Sequence, residues 1–120
     1  MEPMEVIRDA LLNQIEILVL NIGEFYPFGI LLDYQLATKN ITTVDLTVEE
    51  SIRQNRSEIE KLVCTTSEYH SGGYCVDTVV DGLSMIQLNF ISKNSDGWMQ
   101  FYLEYTVEGT SLNYGELVVI

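Results

Sequence analysis

Cys75, His70 and Asp77 are the residues whose types could support nucleophilic chemistry. A thiolate needs a base to take its proton, and the base needs a carboxylate to hold it in place. Histidine is the side chain that ordinarily titrates near neutrality, and His70 is the only one in the chain. Against this grouping, His70 falls at the expected end of a helix, where the helix dipole favours a cation for structural reasons alone. Cys75 falls in an expected strand among apolar neighbours, which points to packing. The chain has no phosphate-binding glycine loop, no G-x-S-x-G elbow and no paired histidines at metal spacing. The sequence therefore reads as a non-enzyme, and no catalytic residue is assigned.

Carboxylates offer a second kind of chemistry. Asp77 and Asp81 share one face of an expected strand, but at a rise near 3.3 Å per residue they stand roughly 13 Å apart. They cannot hold one ion by themselves. A hard cation needs several convergent oxygens, so Glu104 or Asp33 would have to join from neighbouring strands. Scattered, solvated carboxylates are the simpler reading, and neither a metal nor a cofactor is assigned.

Recognition is the third kind, and Gly82 to Val107 carries it. Asp96-Gly97 lies between two alternating apolar runs, a strong local signal for a hairpin. Side chains alternate along a strand, so Met99, Phe101, Leu103, Tyr105 and Val107 share a core face. Trp98, Gln100, Tyr102, Glu104 and Thr106 take the other. In the first strand Ile86, Leu88 and Phe90 oppose Gln87, Asn89 and Ile91. Trp98, Gln100, Tyr102, Glu104 and Gln87 combine flat aromatic area, amides and a charge, the composition of a partner-binding patch. The competing reading is that neighbouring elements cover these residues, so that both faces of the sheet are buried.

The elements that would position this hairpin follow from periodicity. Residues 4–22 are expected to be an amphipathic helix, with Ile7, Leu11, Ile15, Leu18 and Ile22 on one stripe and Gly23 as its stop. Pro27 belongs at a strand's beginning, and Phe28, Ile30, Leu32 and Tyr34 should share one side. A turn near Lys39-Asn40 then leads to a strand over Ile41 to Leu46. Thr47 and Glu50 have capping-box spacing and open a second helix carrying Val48, Ile52, Ile59, Leu62 and Val63. That helix is expected to reach about Tyr69, with Ser71-Gly72-Gly73 as its stop. Tyr74 to Asp81, the hairpin, and Leu112 to Ile120 complete the order α-β-β-α-β-β-β-β. Short turns imply a mainly antiparallel sheet, and two helices are about what one face requires. The expectation is an α+β, two-layer single domain over residues 1–120.

Composition bounds the function. A hydrophobic fraction of 47% in 120 residues suits a globular domain able to bury a core without staples. Eighteen acidic residues against six basic ones give a formal charge of −12. Such a surface repels nucleic acid and anionic membranes and speeds encounter with a basic partner, although acidity also serves plain solubility. No segment reads as a signal or an anchor, so the expected location is cytoplasmic. Cys64 and Cys75 match no metal or redox spacing and are expected to be free thiols there, with a disulfide between them as the alternative.

Gly23-Glu24-Phe25-Tyr26-Pro27-Phe28-Gly29 and the apolar strand after it resemble the opening of a family of small, uncharacterised bacterial proteins. In that family the E-F-Y-P-F-G motif accompanies a later helix and a C-terminal hairpin of the form D-G…Y-L-P-Y. Here the hairpin reads Asp96-Gly97-Trp98 and then Tyr102-Leu103-Glu104-Tyr105, with Glu104 in place of the proline. The resemblance implies a bacterial, soluble, single-domain α+β protein and brings no activity or site residues with it. Function is expected from the residues themselves. The leading expectation is an immunity- or inhibitor-type protein that neutralises a basic toxin or nuclease by direct binding. The alternatives are a structural or dimerising subunit, with a weak homodimer through its C-terminal strand, and a small-molecule-binding α+β domain.

Overall fold

The computed structural model describes residues 2–119. Helix α1 spans Pro3–Ile22, and buries Ile7, Leu11, Ile15 and Val19 at a spacing of four. Ile22 lies outside this stripe and is exposed. Gly23 ends the helix in the left-handed region, at φ 95°, and donates its N–H to the Val19 carbonyl. Strand β1 (Phe28–Asp33) begins directly after Pro27. It turns back earlier than the sequence suggests. The Asp33 carboxylate accepts the N–H groups of Gln35 and Ala37, both at 2.9 Å, and Leu36 takes a positive φ. Strand β2 is therefore Thr38–Ile41, and the expected strand over Ile41 to Leu46 is replaced by β2 and the loop after it.

Helix α2 (Val48–Thr65) opens with the expected capping box between Thr47 and Glu50. It stops four residues short of Tyr69, and the Ser71-Gly72-Gly73 run lies inside strand β3 (Tyr69–Val80). These glycines serve close approach and not a turn. A Cβ on Gly72 would lie 2.6 Å from Ile59 Cγ2 of α2, and one on Gly73 would lie 2.9 Å from Ile7 Cγ2 of α1. Asp81 and Gly82 both take positive φ and join β3 to β4 (Leu83–Ser92). β5 (Met99–Glu108) and β6 (Ser111–Val119) continue the meander. Ile120, included in the expected last strand, lies outside the described residues.

The α+β class, the element order and the antiparallel sheet stand as read from the sequence. All six strands form one sheet in the order β2-β1-β3-β4-β5-β6, with every pairing antiparallel. The layering differs from the two-layer expectation. α1 packs with Phe28, Ile30, Leu32, Cys75, Leu88 and Leu103 on one face. α2 packs with Leu31, Tyr74, Val76 and Ile91 on the other. The sheet thus lies between the helices, because β1 and the first half of β3 are apolar on both sides.

α2 covers only part of its face: it rests on β1 and β3 and reaches β4. Its buried side also starts polar. Ser51 and Asn55 direct Oγ–H and Nδ2–H toward the Pro27 carbonyl at 3.3 and 3.5 Å, while Asn55 donates to the Ser51 carbonyl at 2.8 Å. These contacts serve a carbonyl just before β1, ahead of the first residue that pairs in the sheet among the described residues.

Candidate protein-contact surface

The strand register builds the surface. Gln87 pairs with Tyr102, Asn89 with Gln100 and Met85 with Glu104, so all six project from the face that carries α2. Phe101, Leu103 and Tyr105 point into the α1 core, as alternation requires. Val118 of β6 stands opposite Tyr102 and is 51% exposed. Beyond the edge of α2, this half of the sheet has no second layer among the described residues.

Gln100, Tyr102, Glu104 and Gln87 lie together on this half-face, each partly accessible. Gln87 donates Nε2–H to the Tyr102 hydroxyl at 3.4 Å and accepts Asn89 Nδ2–H at 3.1 Å. The hydrogen bonds run in a line from the buried centre of the sheet to the accessible ring of Tyr102. Asn89 is fully buried, and its Oδ1 has no partner among the described residues. Gly115 lies beside Glu104, where a Cβ would stand 3.2 Å from Glu104 Cβ. The glycine leaves room for the Glu104 side chain against β6.

Trp98 sits at the border of this surface. Its ring meets Tyr74 edge-on at 5.1 Å, the Arg56 guanidinium stacks at 4.9 Å, and Nε1–H donates to Glu60 at 2.9 Å. Three contacts tie it to α2 and the sheet, so it frames the open half-face and is itself half-covered. Acidic residues run along the whole chain, twelve of them before residue 77 against five basic ones. Residues 77–120 contain Asp77, Asp81, Asp96, Glu104, Glu108 and Glu116 against Lys93 alone. Three of the basic residues, Arg53, Arg56 and Lys61, lie on α2.

The structure does not assemble the nucleophilic grouping. His70 and Cys75 both lie on β3, about 16 Å apart at a strand's usual rise. Cys75 is fully buried and donates Sγ–H to the Phe28 carbonyl at 3.7 Å. Burial pushes its thiol well above the ordinary range, with the nearby Asp77 charge acting in the same direction. Asp77 accepts the Tyr105 hydroxyl at 2.9 Å. Burial first, and that hydrogen bond second, push Tyr105 up to about 12. His70, expected on a helix end, lies in β3 instead, because α2 has already finished. Among the described residues no three His, Cys, Asp or Glu side chains converge on a cation position, and the Asp33 carboxylate is engaged in the β1–β2 turn. Cys64 and Cys75 are free thiols, the first exposed and the second buried.

Met85 belongs to the surface without being singled out by the sequence, and Val118, which the sequence marks only as part of the apolar C-terminal strand, joins it. Alternation alone places Met85 beside Gln87. Val118 needs the β5–β6 register, which shifts at an irregularity between Leu103 and Tyr105 and has no sequence signature. No described helix is long and apolar enough to cross a membrane. No protein-family model, curated protein or solved structure matches the chain.

Proposed function

We propose that this chain is a small acidic protein-binding module of the bacterial cytoplasm, of the immunity or inhibitor type, that neutralises a basic toxin or nuclease by direct binding. The open half-face on β4, β5 and β6 is the observation that carries the reading. It offers a half-buried aromatic ring, Tyr102, ringed by the amides of Gln87 and Gln100, the Glu104 carboxylate and the apolar Val118. Aromatic anchors within a polar rim are the usual composition of binding hot spots. The formal charge of −12 over the whole chain supplies the complement to a basic partner. Long-range attraction raises the association rate, and contact around Tyr102 slows dissociation.

The test uses the product of the adjoining gene, where that product is basic, as the partner in a surface plasmon resonance measurement. Tyr102→Ala is expected to raise the off-rate at least about tenfold, as truncation of a buried anchor does. Glu104→Gln is expected to lower the on-rate and flatten its dependence on salt between about 50 and 300 mM. Binding that is indifferent to Tyr102→Ala and to salt would overturn the reading.

A second reading, a dimerising module, is favoured by the position of β6. This strand forms an open edge of the sheet, and Leu117, Val118 and Val119 are 46%, 51% and 70% exposed. An unpaired apolar edge can accept the same strand of a second copy.

A further inference from the structure

Four buried side-chain polar atoms lack a hydrogen-bond partner among the described residues, and two of them, His70 Nδ1 and Ser71 Oγ, belong to residues that line one cavity. Unmet buried groups are uncommon in folded proteins, because each carries an uncompensated desolvation cost. Two on one wall point to a guest. The cavity holds about 190 Å³ beside the first turn of α1, and Met4, Ile7, Phe90 and Met99 supply its apolar side. Drug-sized sites run to roughly 300–1,000 Å³, so the guest must be smaller.

His70 and Ser71 are neighbours on β3, and both line the cavity. Leu32 pairs with Ser71 while Asp33 pairs with Tyr69, which leaves His70 as the extra residue on β3. An inserted residue of this kind re-aims a side chain that strict alternation would send to the opposite face. His70 is also held in place. Its carbonyl accepts the Lys93 N–H at 3.0 Å, and its ring meets Tyr34 edge-on at 5.6 Å. Ser71 is only 3% exposed. Glu2 and Pro3 line the cavity too, so it lies beside the positive end of a 20-residue helix dipole.

We propose that this cavity binds a small monocarboxylate with a short apolar tail. The carboxylate accepts hydrogen bonds from Ser71 Oγ–H and His70 Nδ1–H beside the α1 N-terminus, and the tail lies among Met4, Ile7, Phe90 and Met99. The site is on the α1 side of the sheet, opposite the contact surface, and does not depend on it. Glu2 in the lining works against an anion, and it gives the test a second arm.

Amide shifts followed by NMR through titration with hexanoate, hexanol and hexylamine at fixed ionic strength decide the matter. Hexanoate is expected to give saturable shifts at Ile7, His70, Ser71 and Phe90, with hexanol about tenfold weaker and hexylamine inert. Ser71→Ala should weaken hexanoate by about tenfold and leave hexanol unchanged, since the lost hydrogen bond is to a charged acceptor. Glu2→Gln, at an exposed position, should tighten hexanoate by roughly twofold to threefold. Hexanol binding as well as hexanoate would reduce the site to an apolar hollow and overturn the proposal. Stronger binding of hexylamine would assign the site to Glu2 and overturn it equally. Absence of saturable shifts with all three would leave the two polar atoms to water and end the proposal.

Discussion

Gly72→Ala tests the placement of α2 on the face opposite α1. A Cβ at this position would stand 2.6 Å from Ile59 Cγ2, 3.2 Å from the Ile30 carbonyl oxygen and 3.3 Å from Leu31 Cδ2. Cγ2 is attached directly to Ile59 Cβ, so rotation of the side-chain tip does not relieve the clash. Either α2 lifts or the strand moves. Overpacking of this kind costs about 1–3 kcal/mol, and replacing glycine returns about 0.4–1 kcal/mol through the unfolded chain. The net loss should be roughly 1–2 kcal/mol, read in urea as a lower midpoint with an unchanged slope. Ile59→Ala alone should cost about 2–5 kcal/mol, because Ile59 is fully buried. In that background the alanine at position 72 loses its closest contact, and most of its own cost should disappear, the tight approaches to the Ile30 carbonyl and Leu31 remaining. The double-mutant cycle should therefore show a coupling of roughly 1–2 kcal/mol. Gly73→Ala should couple to Ile7 only in part, since its Cβ would lie 2.9 Å from Ile7 Cγ2 but also 2.8 Å from the Asn89 carbonyl oxygen, which truncating Ile7 does not move. Simple additivity of Gly72→Ala and Ile59→Ala would refute the seating of α2 on β3.

Four further outcomes are expected. In the native protein a thiol reagent should modify exposed Cys64 quickly and buried Cys75 only on unfolding, and Cys75→Ser should cost on the order of 1 kcal/mol. Two fast thiols would contradict the burial of Cys75. Tyr105 rises from its ordinary 10 to about 12 in the fold, so its contribution to stability is complete below pH 10 and is lost as pH climbs toward 12. Burial also raises Tyr114, so phenolate absorbance should show more than one late tyrosine, of which Tyr105→Phe removes one, and a titration unchanged by that substitution would mean the assignment is mistaken. Thr47→Ala should cost about 1 kcal/mol in urea unfolding, because its hydroxyl accepts the Glu50 N–H at 3.1 Å; a neutral outcome would discount the cap. Light scattering over a concentration series should show weak self-association that Val119→Lys abolishes, and a native chain monomeric throughout would remove the dimer reading.

The parts of the fold legible in the sequence are those with short-range causes. Thr47 and Glu50 announce their helix because the cap needs only residues three apart. Asp96-Gly97 announces its turn, and alternation on both sides of it sorts Phe101 from Tyr102 correctly. Layering was not legible in this way. Gly72-Gly73 looks like a helix stop until it is known that Ile59 and Ile7 approach β3 from opposite sides. Ser51 and Asn55 look like solvated positions on α2, yet they are buried against a carbonyl that lies more than twenty residues earlier. Strand β2 falls earlier than periodicity suggests because the Asp33 carboxylate makes the turn through backbone N–H groups that have no sequence signal of their own. For the candidate surface, alternation identified Gln87, Gln100, Tyr102 and Glu104 as co-facial, whereas the half-covered state of Trp98 depends on where α2 ends.

The packing of α1 has a consequence for synthesis. Its apolar stripe is made well before Phe101, Leu103, Tyr105 and Leu112, which help bury that stripe and follow it by about 80–105 residues. At about 5–20 residues per second, Ile7, Leu11, Ile15 and Val19 wait roughly 5–21 s for their last partner, Leu112. Over that interval the nascent helix is a surface amphipathic segment, suited to transient capture by a chaperone or by a neighbouring nascent copy. The β3–β6 meander closes through near neighbours as soon as it emerges, so the N-terminal helix docks onto a sheet that is already formed. Slowing translation across β5 and β6 should therefore lower the yield of folded protein more than slowing it across α1.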